Sequence, residues 1–209
     1  MRAPGWAKTS LACIAALVTT SILLPAANAT PVTFAGTLAG TNENPSNASP
    51  GTGSVAVILD AAANTIRVEV TFSGLTSPTT ASHIHCCEAT PGANLNVMVA
   101  TTTPSFTGFP LGVTSGTYDH TFDLTLASSY NPAFITSAFD PTHDVAGAES
   151  ALIHGIESDE TYLNVHTMAF PGGEVRTALL VPEPASIAIF GGGLAAFTVI
   201  RRRRKRITA

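Results

Sequence analysis

An alternation of apolar and polar residues with period two constrains this chain's fold more than any other feature. In the stretch 65–72, Ile66, Val68, Val70 and Phe72 alternate with Arg67, Glu69 and Thr71. Successive side chains on a β-strand point to opposite faces, so the pattern puts four apolar groups on one side and the polar ones on the other. A helix would scatter both sets around its surface. The stretch therefore belongs to a sheet with one face in a core and the other in water, as antiparallel sheets allow. The β-branched segment 54–59 precedes it, and Asp60-Ala-Ala-Ala-Asn64 between them makes the pair a hairpin candidate.

Further strands are expected at 32–38, 95–101, 113–124, 162–167 and 174–180, the last two on either side of a Pro171-Gly172-Gly173 turn. The Asn, Pro and Gly of 41–53 mark a loop. Helices are expected at 130–139 and 145–156. In the second, Val145, Ala148, Leu152 and Ile156 recur at three and four residues, with Asp144 placed to cap the first turn. The fold class that follows is mainly β, an antiparallel β-sandwich or barrel with one or two helices inserted late. The segment 30–180 is long enough for one such domain with its own core.

The two ends read differently. Arg2 and Lys8 precede the fourteen-residue apolar run 11–24, and Ala27-Asn28-Ala29 has the small-residue spacing of a cleavage site. At about 1.5 Å per residue the run is too short for a hydrocarbon core of roughly 30 Å. Residues 1–29 are thus a cleavable secretory signal, and the mature chain is expected to start at Thr30. Toward the other end, Pro182, Glu183 and Pro184 precede the apolar stretch 186–200, and Arg201, Arg202, Arg203, Arg204, Lys205 and Arg206 follow it. Such a basic block stays on the cytoplasmic side, which leaves the body of the chain outside. Gly191-Gly192-Gly193 weakens the short transmembrane helix, which suits a temporary stop better than a permanent anchor.

This ordered triplet over 181–206 resembles the PEP-CTERM sorting signal of Gram-negative bacteria. The resemblance implies an inner-membrane precursor recognised near Pro182, Glu183 and Pro184 by an exosortase-type membrane protease. Removal of the tail would then release the protein to the cell surface or extracellular matrix.

Charge is distributed unevenly. Of the ten basic residues only Arg67 and Arg176 lie within 30–180, whereas every one of the fourteen acidic residues except Glu183 does. So acidic a domain argues against a nucleic-acid partner, which needs cations to neutralise phosphate. Cys86 and Cys87 are adjacent. Consecutive Cα atoms are about 3.8 Å apart across a trans peptide, below the roughly 4.4 Å lower bound for a disulfide, so no bridge between them is expected.

Two clusters carry the residue types of a site. His83 and His85 are two apart and share one face of an extended strand; so do Tyr162, Asn164 and His166, and so do Glu174 and Arg176. Ala81-Ser82-His83-Ile84-His85 after Gly74-Leu75, the stretch from Tyr162 through Asn164, His166, Thr167, Phe170, Pro171 and Glu174 to Arg176, and the opening Phe34, Gly36, Leu38, Gly40, Glu43 and Pro45 together resemble the CHRD (chordin-type) domain. The resemblance implies a β-rich extracellular module with no established catalytic activity.

Each residue has two readings. His83, His85 and His166 would suit Zn²⁺ or Cu²⁺, with Cys86 and Cys87 as soft additional ligands. Alternatively they are hydrogen-bonded sheet histidines, and the cysteines are buried structural residues. Arg176 calls for a carboxylate, Glu174 as its structural ion pair or else Glu43. No G-x-S-x-G, H-E-x-x-H, phosphate-loop or dinucleotide motif is present, so no enzyme is expected. The sequence thus points to an exported, non-enzymatic surface or matrix module that binds matrix polysaccharide or protein. The alternative is a Zn- or Cu-binding, or redox, extracellular protein using the three histidines.

Overall fold

The computed structural model describes residues 30–137 and 139–181. The expected secretory signal at 1–29, the Pro182-Glu183-Pro184 motif, the apolar stretch 186–200 and Arg201 to Arg204 lie outside the described residues. Among those described, no helix is long and apolar enough to cross a membrane.

Seven strands form one sheet: β1 Val32–Ala39, β2 Thr52–Asp60, β3 Thr65–Ser73, β4 Thr79–His85, β5 Gly116–Asp123, β6 Tyr162–Thr167 and β7 Val175–Ala178. Helices α1 (Pro132–Ile135) and α2 (Val145–Glu157) lie between β5 and β6. Strand order is β4-β6-β7-β1-β2-β3-β5, all antiparallel. The sheet curls into a half-barrel. Its two ends approach where Thr79 N donates to Val113 O and Gly112 N to Thr79 O, just ahead of β5. The expected mainly-β architecture with late helices is what the chain adopts.

The period-two pattern explains the central hairpin. Val55 faces Val70, Val57 faces Val68 and Leu59 faces Ile66, all buried. Each such side chain withdrawn from water contributes about 1.5–3 kcal/mol. The wet face carries Arg67, which donates in bidentate fashion to Asp119 (2.8 and 2.6 Å) and lies 2.8 Å from Glu69. At the hairpin turn Asp60 Oδ1 accepts from Ala62 N and Ala63 N, and Asn64 takes the left-handed conformation that Asn tolerates. Asp144 caps α2 by accepting from Gly147 N (2.8 Å), and Ala148, Leu152 and Ile156 are buried as their spacing predicts.

Four expectations change. Segment 95–101 is no strand; it makes only the isolated bridges His85–Val99 and Thr101–Tyr130 and runs irregularly along the free edge of β4, where Cys86 N donates to Met98 O and Ala100 N to Ile84 O. Helix 130–139 shrinks to one turn, begun by Pro132 and capped by Asn131. The last strand is confined to Val175–Ala178, which leaves Glu174 ahead of it. Finally, Cys86 and Cys87 are joined by a disulfide across a cis peptide, with Cα atoms 3.1 Å apart; the argument against a bridge assumed a trans peptide. Both cysteines are buried against α2.

Candidate functional site

Strand pairing assembles the site. Across β4 and β6, Ala81 faces His166, His83 faces Asn164 and His85 faces Tyr162. On β7, Arg176 faces Asn164. Ile84, Leu163 and Val165 alternate with these residues and enter the core. Carbonyls of the irregular segment 94–104 reach His83 and His85, and His83, His85, Tyr162 and Asn164 are buried as well as the core-facing residues, so these strands are buried on both sides.

Each histidine is pinned by one ring nitrogen. His83 Nε2 donates to Pro104 O (2.9 Å), His85 Nδ1 to Val97 O (2.7 Å) and His166 Nδ1 to Pro171 O (2.9 Å). A neutral imidazole that donates through one nitrogen presents a lone pair on the other. Those other nitrogens, His83 Nδ1, His85 Nε2 and His166 Nε2, are buried without a partner. One ring nitrogen from each residue lies within 4.8 Å of the others. Burial, reinforced by His166 and His85, pushes His83 down to about 4. Burial likewise pushes His85 to about 4 and, with the field of Arg176, holds His166 below its ordinary value. All three rings are neutral near pH 7, the form that ligates metals.

Cys86 and Cys87 do not join them. Their sulfurs are bonded to each other and face Ala151 O, and a disulfide offers no thiolate to a metal.

Arg176 is 2 % exposed, as its loneliness among carboxylates suggested, but its partner is Glu43 and not Glu174. Nε lies 3.1 Å from Glu43 Oε2, an ion contact without the alignment of a hydrogen bond. The guanidinium covers the Tyr162 ring at 3.8 Å and donates to Asn94 Oδ1 and Asn96 Oδ1; Tyr162 in turn stacks on His85. Burial pushes the Glu43 carboxyl up to about 7, against the pull of Arg176. Glu174 is wholly buried elsewhere. It accepts from Ser49 Oγ, Thr167 Oγ1 and Thr76 N, and these bonds outweigh burial and hold its pKa below the ordinary value. Sequence reasoning did not single out Asn94 and Asn96; their only signal is the two-residue spacing that puts both amides on one side of an extended segment.

Residues 34–179 match the family model of the CHRD domain, and residues 180–205 match that of the PEP-CTERM protein-sorting motif. No curated protein and no solved structure matches the chain. The sorting motif marks an exported module directed to an exosortase, with a membrane-associated precursor and a surface or extracellular destination. The CHRD match takes in most of the sequence and the whole site described above, and the chain belongs to the CHRD domain family.

Proposed function

We propose that this exported CHRD module is a non-enzymatic component of the cell surface or matrix that holds one Zn²⁺ or Cu²⁺ ion on His83, His85 and His166. One observation carries the reading: the imidazoles of buried His83 and His85 and half-buried His166 are each anchored to a backbone carbonyl, each keep a second, buried nitrogen without a partner, and one ring nitrogen from each lies within 4.8 Å of the others. A buried polar atom without a partner costs about 1–3 kcal/mol, so a purely structural trio would be expected to satisfy these nitrogens. Carbonyl-anchored imidazoles are also the usual outer arrangement around a bound metal, since the second hydrogen bond fixes ring orientation and tautomer. Imidazole donors suit zinc and copper over magnesium or calcium. Freed from its tail near Pro182, Glu183 and Pro184, the module would join other matrix components, polysaccharide or protein.

Thermal unfolding tests the metal reading. A cation that binds only the folded chain stabilises it by mass action, about 2.7 kcal/mol at a hundredfold excess over Kd. Added Zn²⁺ or Cu²⁺ is expected to raise Tm in the wild type, and His83→Ala or His166→Ala to abolish the rise. A melting curve that metal leaves unchanged would return the histidines to a structural role.

A further inference from the structure

Among the described residues, buried side-chain atoms without hydrogen-bond partners are concentrated in one place. Apart from Asp140 Oδ2 and Thr161 Oγ1, all belong to Glu43, His83, His85, Asn164, His166 and Arg176. Asn164 sits at the centre of this set. It is 1 % exposed, stands directly across from His83 on one side and Arg176 on the other, and its Oδ1 is unpartnered. Its side chain is close enough to both His83 and His85 to oppose the fall in their pKa values. The amide nitrogen and Glu43 Oε1 share the space beside Gly173, where a Cβ would collide with Glu43 Oε1 and come within 2.8 Å of Asn164 Nδ2. Gly173 has φ +126°, which favours glycine, so the backbone leaves this space to the amide and the carboxylate.

The nitrogen and oxygen of an amide point apart, so with Asn164 Nδ2 on the side of Glu43 its oxygen is left to the other side. We infer that Asn164 Oδ1 is the fourth protein ligand, completing a closed donor set of three imidazole nitrogens and one amide oxygen, with Glu43 as the residue that positions it. This rests on the three-histidine metal reading and extends it. Four protein donors leave no position for water or substrate, which is the arrangement of a structural metal rather than a catalytic one. The cation clamps β4 to β6. Through Asn164, Glu43 and Arg176 the clamp reaches β7 and the loop after β1, so it crosslinks segments distant in sequence.

Co²⁺ serves as the spectroscopic probe, loaded into the full exported protein and challenged with azide. The wild type is expected to give an intense four-coordinate visible spectrum that azide does not alter. Asn164→Ala should bind Co²⁺ at least about tenfold more weakly, and its spectrum should shift with azide as solvent takes the fourth position. Asn164→Asp, which keeps an oxygen in place, should restore the insensitivity. A wild-type spectrum that azide shifts, or an Asn164→Ala variant with wild-type affinity, overturns the fourth ligand while the three-histidine site stands. A wild type that gives no Co²⁺ spectrum and takes up no zinc or copper overturns both. The wild-type azide result does not depend on whether either variant folds.

Discussion

At the scale of single residues, Arg176 concentrates the energetics of the domain. It is buried beside Glu43, over Tyr162, with Asn94 and Asn96 accepting from its remaining N–H groups. Removing it strands a buried carboxylate, so Arg176→Ala is expected to destabilise by about 3–5 kcal/mol in denaturant melts. Arg67→Ala, with its partners in water, should cost far less; equal losses would contradict this account of Arg176. The histidines yield a pH dependence in metal-free protein. His83 and His85 titrate near 4 when folded against 6.5 ordinarily, so the unfolded chain binds more protons between those values. Their stabilising contribution is full above pH 6.5 and is lost as pH falls through about 4, at about 1.4 kcal/mol per pH unit for each ring. A denaturation midpoint that stays flat over that window would show the rings to be solvated. The burial of Arg176 was legible from the scarcity of cations. Its partner was left open between Glu174 and Glu43, because Glu174 and Arg176 share a face only if the strand includes both, whereas Glu43 arrives from a distant loop.

At the scale of elements, strands with one wet face were the readable ones. The alternation through β3 located its buried and exposed residues, and the spacing in α2 located its core face. Strand β4 carried no such alternation, because both its faces are covered and only His83-Ile84-His85 hinted at extension. Segment 95–101 has strand-like composition but spends it on irregular bridging along the edge of β4 and on the carbonyl that holds His85. The contact between α2 and the disulfide was illegible while the cysteines were read as unbridged. A Cβ at Gly155 would collide with Cys86 Sγ and lie 3.0 Å from Cys87 Sγ. Gly155→Ala is therefore expected to destabilise by about 1–3 kcal/mol through overpacking, although alanine is intrinsically favoured in a helix by about 1 kcal/mol. Thermal melts decide it: a stabilised variant would mean that the helix and the cysteine pair are not in contact.

At the scale of the whole molecule, the chain combines a sorting segment, 180–205, with an acidic β domain whose dense polar cluster lies on the face of β4, β6 and β7 opposite to the core. The sorting route predicts that protein from the native host runs from Thr30 to near Pro182. Intact mass reads this directly, and a mass that retains Arg201 to Arg204 would indicate a permanent anchor instead. The histidine trio was legible as a candidate metal site from the spacing on two strands, and the register that faces His83 with Asn164 came only with the fold. The central claim is that this cluster exists to hold a metal, and elemental analysis of the protein purified from its own export pathway tests it most directly. The account predicts about one zinc or copper per chain in the wild type and none in His166→Ala. A wild-type protein exported, folded and free of both metals would contradict it.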